Sequence, residues 1–516
     1  MATVKLSSAK GIWVMLAAII ASAMAFIDAT ALNVVLPALQ DGLQATSGEL
    51  FWILNAYLLM LASLILVGGS LSDKLGRKKI FMVGIVIFVV GSGLCGTAST
   101  VFLLIVYRLV QGIGGAFMIP GSLALISSAI NETERGKAIG TWSSATTIVT
   151  VGGPILGGAL ADAGLWRYIF FINVPIGIAA FFILWTKVDE TKNENSNPSI
   201  DILGAIVIAL GLAALTFGCL SMPEKGIHHW HVYLPLIVGT ILLIAFIAIE
   251  KVSQYPMMPL NLFNNGTFSG ANLLTFFLYA GLGAGMLFLS LNLVQVQGYT
   301  QLQSGLTFLP FTLLMIILAK LSGKLADKYG PRLFLIIGPA TAGIGLLLLA
   351  FVGQTRGVAD YWVTYFPGIL VFGLGMSITV APLTSTVMGS VNQQYSGTAS
   401  GINNAITRIS NVLANAIFGA LAVLLFSMAL QARLNDTDLP GTVRQAVMAQ
   451  TVNLGNAAVP KEVDNTAKEK IERYYHESFI EAYKKIMLIS AGLAFTGACM
   501  SLLFIQNKTA HQFDKP

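Results

Sequence analysis

Apolar runs of about twenty residues, the length a helix needs to cross hydrocarbon, recur from one end of this 516-residue chain to the other. Lipid offers no water to a backbone N–H or C=O group, so each run must satisfy its hydrogen bonds within itself, and a helix does so. Fourteen spans can be placed, at 12–36, 51–71, 80–98, 101–122, 139–160, 167–187, 203–221, 232–250, 268–293, 304–322, 333–352, 363–386, 401–428 and 484–505. Only 10% of the residues are charged, against roughly 25% in an average soluble domain. Such a chain cannot clothe its surface with charge, so much of that surface must face lipid. The first run starts near Gly11 and has no small-x-small cleavage site followed by a polar stretch. It reads as a retained helix and not as a signal peptide. The fold class is an all-α polytopic membrane protein.

An even number of spans puts both termini on one side, and the Lys/Arg distribution picks the side. With cytoplasmic termini, the short inner loops are 72–79, 132–137, 187–199 and 323–332, all rich in Lys or Arg. The outer stretches 37–50, 161–166, 222–231, 296–303 and 353–362 hold only Lys225 and Arg356. The pattern G-x-L-[SA]-D-K-x-G occurs in "GSLSDKLGRKK" (69–79) after span two and again in "GKLADKYGPRL" (323–333) after span ten. The echo divides the chain into a six-helix bundle (1–187), two additional helices with linkers (188–266) and a second six-helix bundle (267–516). Parallel repeats of six helices that rock against each other suit alternating access. One external loop, 429–483, is long. Its second part carries Ile471, Tyr475, Phe479 and Tyr483 at four-residue intervals, with Tyr474 and Ala482 alongside, so an amphipathic helix is expected to run on into the last span.

Charges inside the spans are few. Asp28 in span one and Arg108 in span four each lie about eight residues from the outer end, or roughly 12 Å deep at 1.5 Å per residue. They are therefore expected to meet, with Asn33, Tyr107 and Gln111 as nearby hydrogen-bonding groups. A carboxylate in hydrocarbon marks a functional site. Burial favours its neutral form and a neighbouring arginine its ionised form, so alternating those surroundings moves a proton. Thr30 and Asn33 flank Asp28 and are candidate substrate contacts, as are Trp52 and Tyr57 in span two. Lys320 is placed to snorkel to the inner surface, and Arg408, with Asn403, Asn404 and Asn411 nearby, either lines the lower cavity or binds a carbonyl at a helix break. Glu250 and Asp201 sit at span ends and read as interfacial. Asp73 and Arg77, mirrored by Asp327 and Arg332, are gating candidates that hold helix ends together. Gly153 and Pro154, within "TVGGPILGGAL" (151–161), suggest a bent, close helix contact that also belongs to gating.

The same sequence excludes several functions. The net charge of +6 and isoelectric point near 9.0 do not suggest nucleic acid, because the basic residues lie in short interhelical loops. Without G-x-x-x-x-G-K-[ST] there is no nucleotide-hydrolysing motor. Neither a nucleophile constellation nor a His/Cys metal cluster is apparent, so no enzyme, metal or cofactor is expected. Cys95, Cys219 and Cys499 fall in apolar segments, and His228, His229 and His231 read as interfacial residues beside Trp230.

Together these motifs resemble the major facilitator superfamily, specifically its 14-helix drug:proton antiporter branch. "IDATALNVVLP", with Asp28, Thr30, Asn33 and Pro37, is similar to the first-helix signature. "GSLSDKLGRKK" resembles the superfamily loop, "YRLVQGIGGA" the helix-four signature, and "GGPILGG" the antiporter signature of helix five, with Val149 where that signature carries a glycine. "WRYIFFINVPIG" (166–177) and "VQGYTQLQSGLTFLP" (296–310) also resemble this branch. The resemblance implies a major facilitator fold of fourteen helices in a 6+2+6 order. It implies proton-coupled export of hydrophobic or cationic drugs across the bacterial inner membrane, the alternative being export of a lipid, fatty acid, siderophore or other metabolite. The implied partners are a small-molecule substrate, protons and the bilayer, with one chain as the transport unit. Some relatives in this branch also use a periplasmic adaptor and an outer-membrane channel.

Overall fold

The computed structural model describes residues 4–191, 201–254, 256–391, 396–435, 437, 439–460, 463 and 465–506. A few side chains inside helices, those of Asp73 and Asp327 among them, lie outside the described set. The helices are α1 (Ala9–Leu43), α2 (Ser47–Leu75), α3 (Arg77–Thr97), α4 (Val101–Ala129), α5 (Glu132–Asp162), α6 (Tyr168–Phe171), α7 (Asn173–Lys187), α8 (Ile202–Lys225), α9 (Trp230–Val252), α10 (Gly266–Gln295), α11 (Gln301–Thr307), α12 (Leu309–Tyr329), α13 (Arg332–Ala350), α14 (Tyr365–Gly389), α15 (Ser396–Asn435), α16 (Gly441–Ala449) and α17 (Asn465–Phe504). The pairs α6/α7 and α11/α12 are each one span interrupted by a single residue, so every expected span is helical. Thirteen of these helical segments are long and apolar enough to cross a membrane. The fourteenth expected span is α5, which includes side chains outside the described set. Among the described residues no β-strand forms.

The expected short inner loops are mostly helix. Residues 72–75 continue α2, and Gly76 alone separates it from α3. Gly76 has φ +114°, a conformation that L side chains resist. A Cβ there would also lie 2.7 Å from the Glu190 carboxyl carbon. Residues 323–329 likewise belong to α12, which stops at Gly330 (φ +87°). The apolar run ends where the membrane does, but a charged segment of good helix formers goes on winding until a glycine stops it. At the other end α15 continues to Asn435, because Leu430 and Leu434 still bury fully. α17 is one continuous helix whose outer half buries Ile471, Tyr475, Phe479, Ala482 and Tyr483 as expected. Arg433 on α15 clamps this arm by ion pairs to Glu477 (3.3 Å) and Glu481 (3.1 Å).

In the first half α4 packs on α2 and α3, and α1 on α5 and α7. In the second α14 packs on α13 and α12, and α17 on α10 and α13. α8 and α9 form a hairpin resting on α2 and α15. Its outer faces present Ile206, Leu210, Ile237, Ile241 and Ile244, as a surface in hydrocarbon should. The halves meet where α2 packs on α15, α5 on α11, and α1 on α10. Among the described residues, hydrogen bonds between the halves cluster at one end, the one expected to be external. There the Gln301 and Leu302 N–H groups donate to Asp162 Oδ1 (2.8 Å) and Oδ2 (2.9 Å). Gln295 Nε2 donates to Gln40 Oε1 (3.1 Å), and Asn456 Nδ2 to Asp41 Oδ1 (2.8 Å).

Candidate functional site

Asp28, Arg108 and Gln111 form a closed triad in the interior of the first half, 0%, 1% and 0% exposed. Arg108 Nη1 lies 2.5 Å from Asp28 Oδ2 and donates also to Gln111 Oε1 (2.8 Å). Gln111 Nε2 donates to Asp28 Oδ1 (2.9 Å). Both carboxylate oxygens are thus held, one by a charge. Arg108 Nε reaches the Ile53 carbonyl (3.3 Å), and its guanidinium lies 4.5 Å from the Tyr57 ring centre and 6.0 Å from that of Phe170. The equal depth expected of Asp28 and Arg108 is met, and the one-turn spacing of Arg108 and Gln111 places both on the face of α4 turned to α1. The arginine and the amide together satisfy both carboxylate oxygens in an interior closed to solvent.

The remaining expected residues divide. Tyr57 is 1% exposed, stacks under Arg108, and its buried hydroxyl has no partner. Arg408 is half-buried on α15, which packs on α2 of the first half and on α10 of the second. Thr30 turns its hydroxyl back to the Phe26 carbonyl (2.7 Å) and abuts Gly153. It therefore belongs to the α1–α5 contact. Asn33 and Tyr107 are half-buried and stand outside the triad's hydrogen bonds. Trp52 points to Phe217 of α8, with ring centres 6.3 Å apart, away from the triad. Glu250, in the last turn of α9, is 2% exposed and accepts from the Met258 N–H (2.9 Å), pinning the chain that leaves α9. Asp201 caps α8 by accepting from the Gly204 N–H (2.7 Å). Lys320 is exposed, as a snorkelling lysine should be.

Of the gating candidates, the Asp73 and Asp327 side chains lie outside the described residues. The Arg77 N–H donates to the Thr191 carbonyl (2.9 Å), and Arg332 Nη2 to the Leu502 carbonyl (2.8 Å). Gly153 and Pro154 are buried at a double contact: Gly153 meets Thr30 of α1, and the Pro154 carbonyl meets Gly305 of α11. Three carboxylates escaped the sequence reading. Glu190 accepts from the Lys78 and Lys79 N–H groups (both 3.0 Å) and caps α3. Glu134 accepts from the Leu6 N–H (2.8 Å). Asp162 ties the halves. All three bind backbone N–H groups, which leave no pattern in a sequence. The one usable hint was a carboxylate at the very end of an apolar span, as at Asp162.

Residues 18–415 match the model of the Major Facilitator Superfamily. The "Multidrug resistance protein Stp" of Mycobacterium tuberculosis is 30% identical over 479 residues, which cover 90% of this chain and 87% of that protein. The "Methylenomycin A resistance protein" of Bacillus subtilis is 30% identical over 420 residues, 80% of this chain and 88% of the relative. The "Tetracenomycin C resistance and export protein" of Streptomyces glaucescens is 26% identical over 497 residues, 95% and 90%. In fold the chain is similar to a solved bacterial homolog of the human lysosomal transporter Spinster. That match has a TM-score of 0.67 at 18% identity and covers 97% of this chain and 99% of the other. A multi-pass protein of the bacterial inner membrane that moves small molecules and catalyses no reaction, this chain belongs to the Major Facilitator Superfamily.

Proposed function

We propose that the chain is a proton-coupled antiporter that exports hydrophobic drug-like molecules by alternating access. The observation that carries the coupling is the buried triad. Asp28 is the proton carrier, and Arg108 sets its charge in the state described here. Two six-helix bundles, 1–187 and 267–516, rock about their contact, and the inserted segment 188–266 rests against it. Asp73, Arg77, Gly153, Pro154, Asp327 and Arg332 act in gating. Asn33, Tyr57, Tyr107 and Arg408 are the candidate wall of the substrate path, whereas Thr30 and Trp52 serve helix contacts and Gln111 is committed to the triad. With the hydrogen bonds between the halves gathered, among the described residues, at the outer end, the state is inward-facing, both termini being cytoplasmic. The drug-resistance names of the relatives support the export reading. One chain is the transport unit. A periplasmic adaptor and outer-membrane channel, if engaged, would meet the outer arm within 429–483.

The test is exchange in proteoliposomes: an imposed pH gradient should drive uptake of a fluorescent dye by wild type and not by Asp28→Asn. Equal uptake by both would remove Asp28 from coupling. A substrate screen in a pump-deficient host, comparing the same two proteins, then finds the compounds. A second reading, export of a lipid-like metabolite, is favoured by an apolar cleft between α12, α13 and α14. It is lined by Leu318, Leu321, Leu333, Phe334, Ile337 and Ile378, of which Leu321, Leu333 and Ile337 face the lipid side. Loss of dye export with retained export of a fatty acid would select that reading.

A further inference from the structure

We infer that the exported molecule carries an anionic group on an apolar body, and that Arg408 is the residue that binds it. The inference rests on the export reading above and names its substrate class. Away from the helix ends, and setting aside surface-reaching Lys320, the membrane-crossing segments hold three ionised side chains: Asp28, Arg108 and Arg408. Two cancel. Asp28 has both oxygens occupied and no exposed surface. A cationic substrate therefore finds no free carboxylate beside the path. Arg408 is different. Its Nε is buried without a hydrogen-bond partner, and its helix α15 packs on α2, which carries Tyr57, and on α10, which carries Tyr279.

Arg408 is half-buried, and a guanidinium without a counter-ion at membrane depth is costly, so an incoming anion relieves that cost. The planar fork matches a carboxylate or sulfonate with two parallel bonds. Tyr57, on the facing helix α2, is 1% exposed and its hydroxyl has no partner, so it offers a further donor once the halves move. Nearby on α15, Asn403 is already committed to Asn272 (3.0 Å) and Thr275 (2.7 Å) of α10, and Asn404 to the Ser400 carbonyl (3.0 Å). These amides shape the wall and leave Arg408 as the free charge. Tyr57 also touches Arg108, so an anion bound at Arg408 is electrostatically linked to the proton site through one ring.

The experiment uses the full chain in lipid nanodiscs and three probes with one aromatic body: 1-pyrenebutyrate, neutral 1-pyrenebutanol, and the pyrenebutyl trimethylammonium cation. Binding is read by energy transfer from tryptophan to pyrene. Wild type should bind the carboxylate about tenfold more tightly than the cation, the least that a charge-assisted pair contributes. Arg408→Gln should lose that preference while still binding the alcohol, which shows that it is folded. Arg408→Lys should retain part of it. A cation bound as tightly as the carboxylate by wild type, or a preference unchanged in Arg408→Gln, overturns the proposal. The export reading fails separately: if the anion preference is present but a pH gradient moves none of the probes in proteoliposomes, the site stands and proton-driven export falls.

Discussion

At the scale of single residues, the Asp28–Arg108 pair has no solvent to fall back on. Removing one member of a buried pair strands the other, at a cost of about 3–5 kcal/mol. Arg108→Ala should therefore lower the thermal midpoint of the purified protein markedly. The double variant Asp28→Ala/Arg108→Ala should lose less than the two single losses combined, because neither charge is then stranded. Asp28→Asn is milder, since its amide oxygen still accepts from Arg108, and the chain should insert and fold. With no group left to titrate, its proton-driven exchange should fall to the level of empty liposomes. A folded Asp28→Asn protein with full exchange would sink the coupling role. These residues were legible in the sequence for the reason that makes the variants informative: ionised groups in hydrocarbon are scarce, and counting residues from a helix end gives their depth. The direction in which Trp52 and Thr30 point was not legible. It depends on which neighbour each helix face meets, Phe217 for one and Gly153 for the other.

At the scale of elements, the number of membrane helices was legible and their ends were not. Hydropathy marks where lipid stops, whereas the helix stops where a cap or a glycine makes it. The capping box of Thr46 and Glu49 starts α2 ahead of its apolar run, and Gly76 ends it beyond. Glu190 then caps α3 from a segment that sequence reasoning treated as plain loop. Glu190→Ala should cost about 0.5–2 kcal/mol, as other lost N-caps do, and hydrogen exchange at residues 77–80 should quicken. Faster exchange spread evenly over α3 would point to general destabilisation instead. The helix-five signature makes a comparable commitment. A Cβ on Gly157 would stand 2.8 Å from the Ala31 carbonyl oxygen. Gly157→Ala must therefore push α5 from α1, an overpacking worth about 1–3 kcal/mol. Its thermal midpoint should drop, while Gly152→Ala, where nothing lies within 4 Å, should be neutral.

At the scale of the whole molecule, the repeat in the sequence suggests two halves, but it could not say at which end they are joined. That depends on pairs such as Asp162 with Gln301 and Gln40 with Gln295, brought together across the interface by α5, α11, α1 and α10. A carboxylate accepting from two N–H groups at the start of α11 joins a negative charge to the positive end of a helix. Asp162 is exposed, so water competes, and the latch contributes about 1 kcal/mol, toward the low end for charged hydrogen bonds. Even that shifts an equilibrium between open and closed outer ends by roughly fivefold. Asp162→Ala should therefore raise the share of molecules open on the outside, and Asp162→Asn, which keeps one acceptor, should raise it less. Spin labels at Leu165 and Val358, exposed positions in opposite halves at this end, read the change by pulsed electron resonance. A longer-distance population should appear in Asp162→Ala and grow on adding substrate from the outside. An unchanged distance distribution would show that the apolar contact of Phe51 with Phe288, 6.0 Å between ring centres, closes this end without the carboxylate.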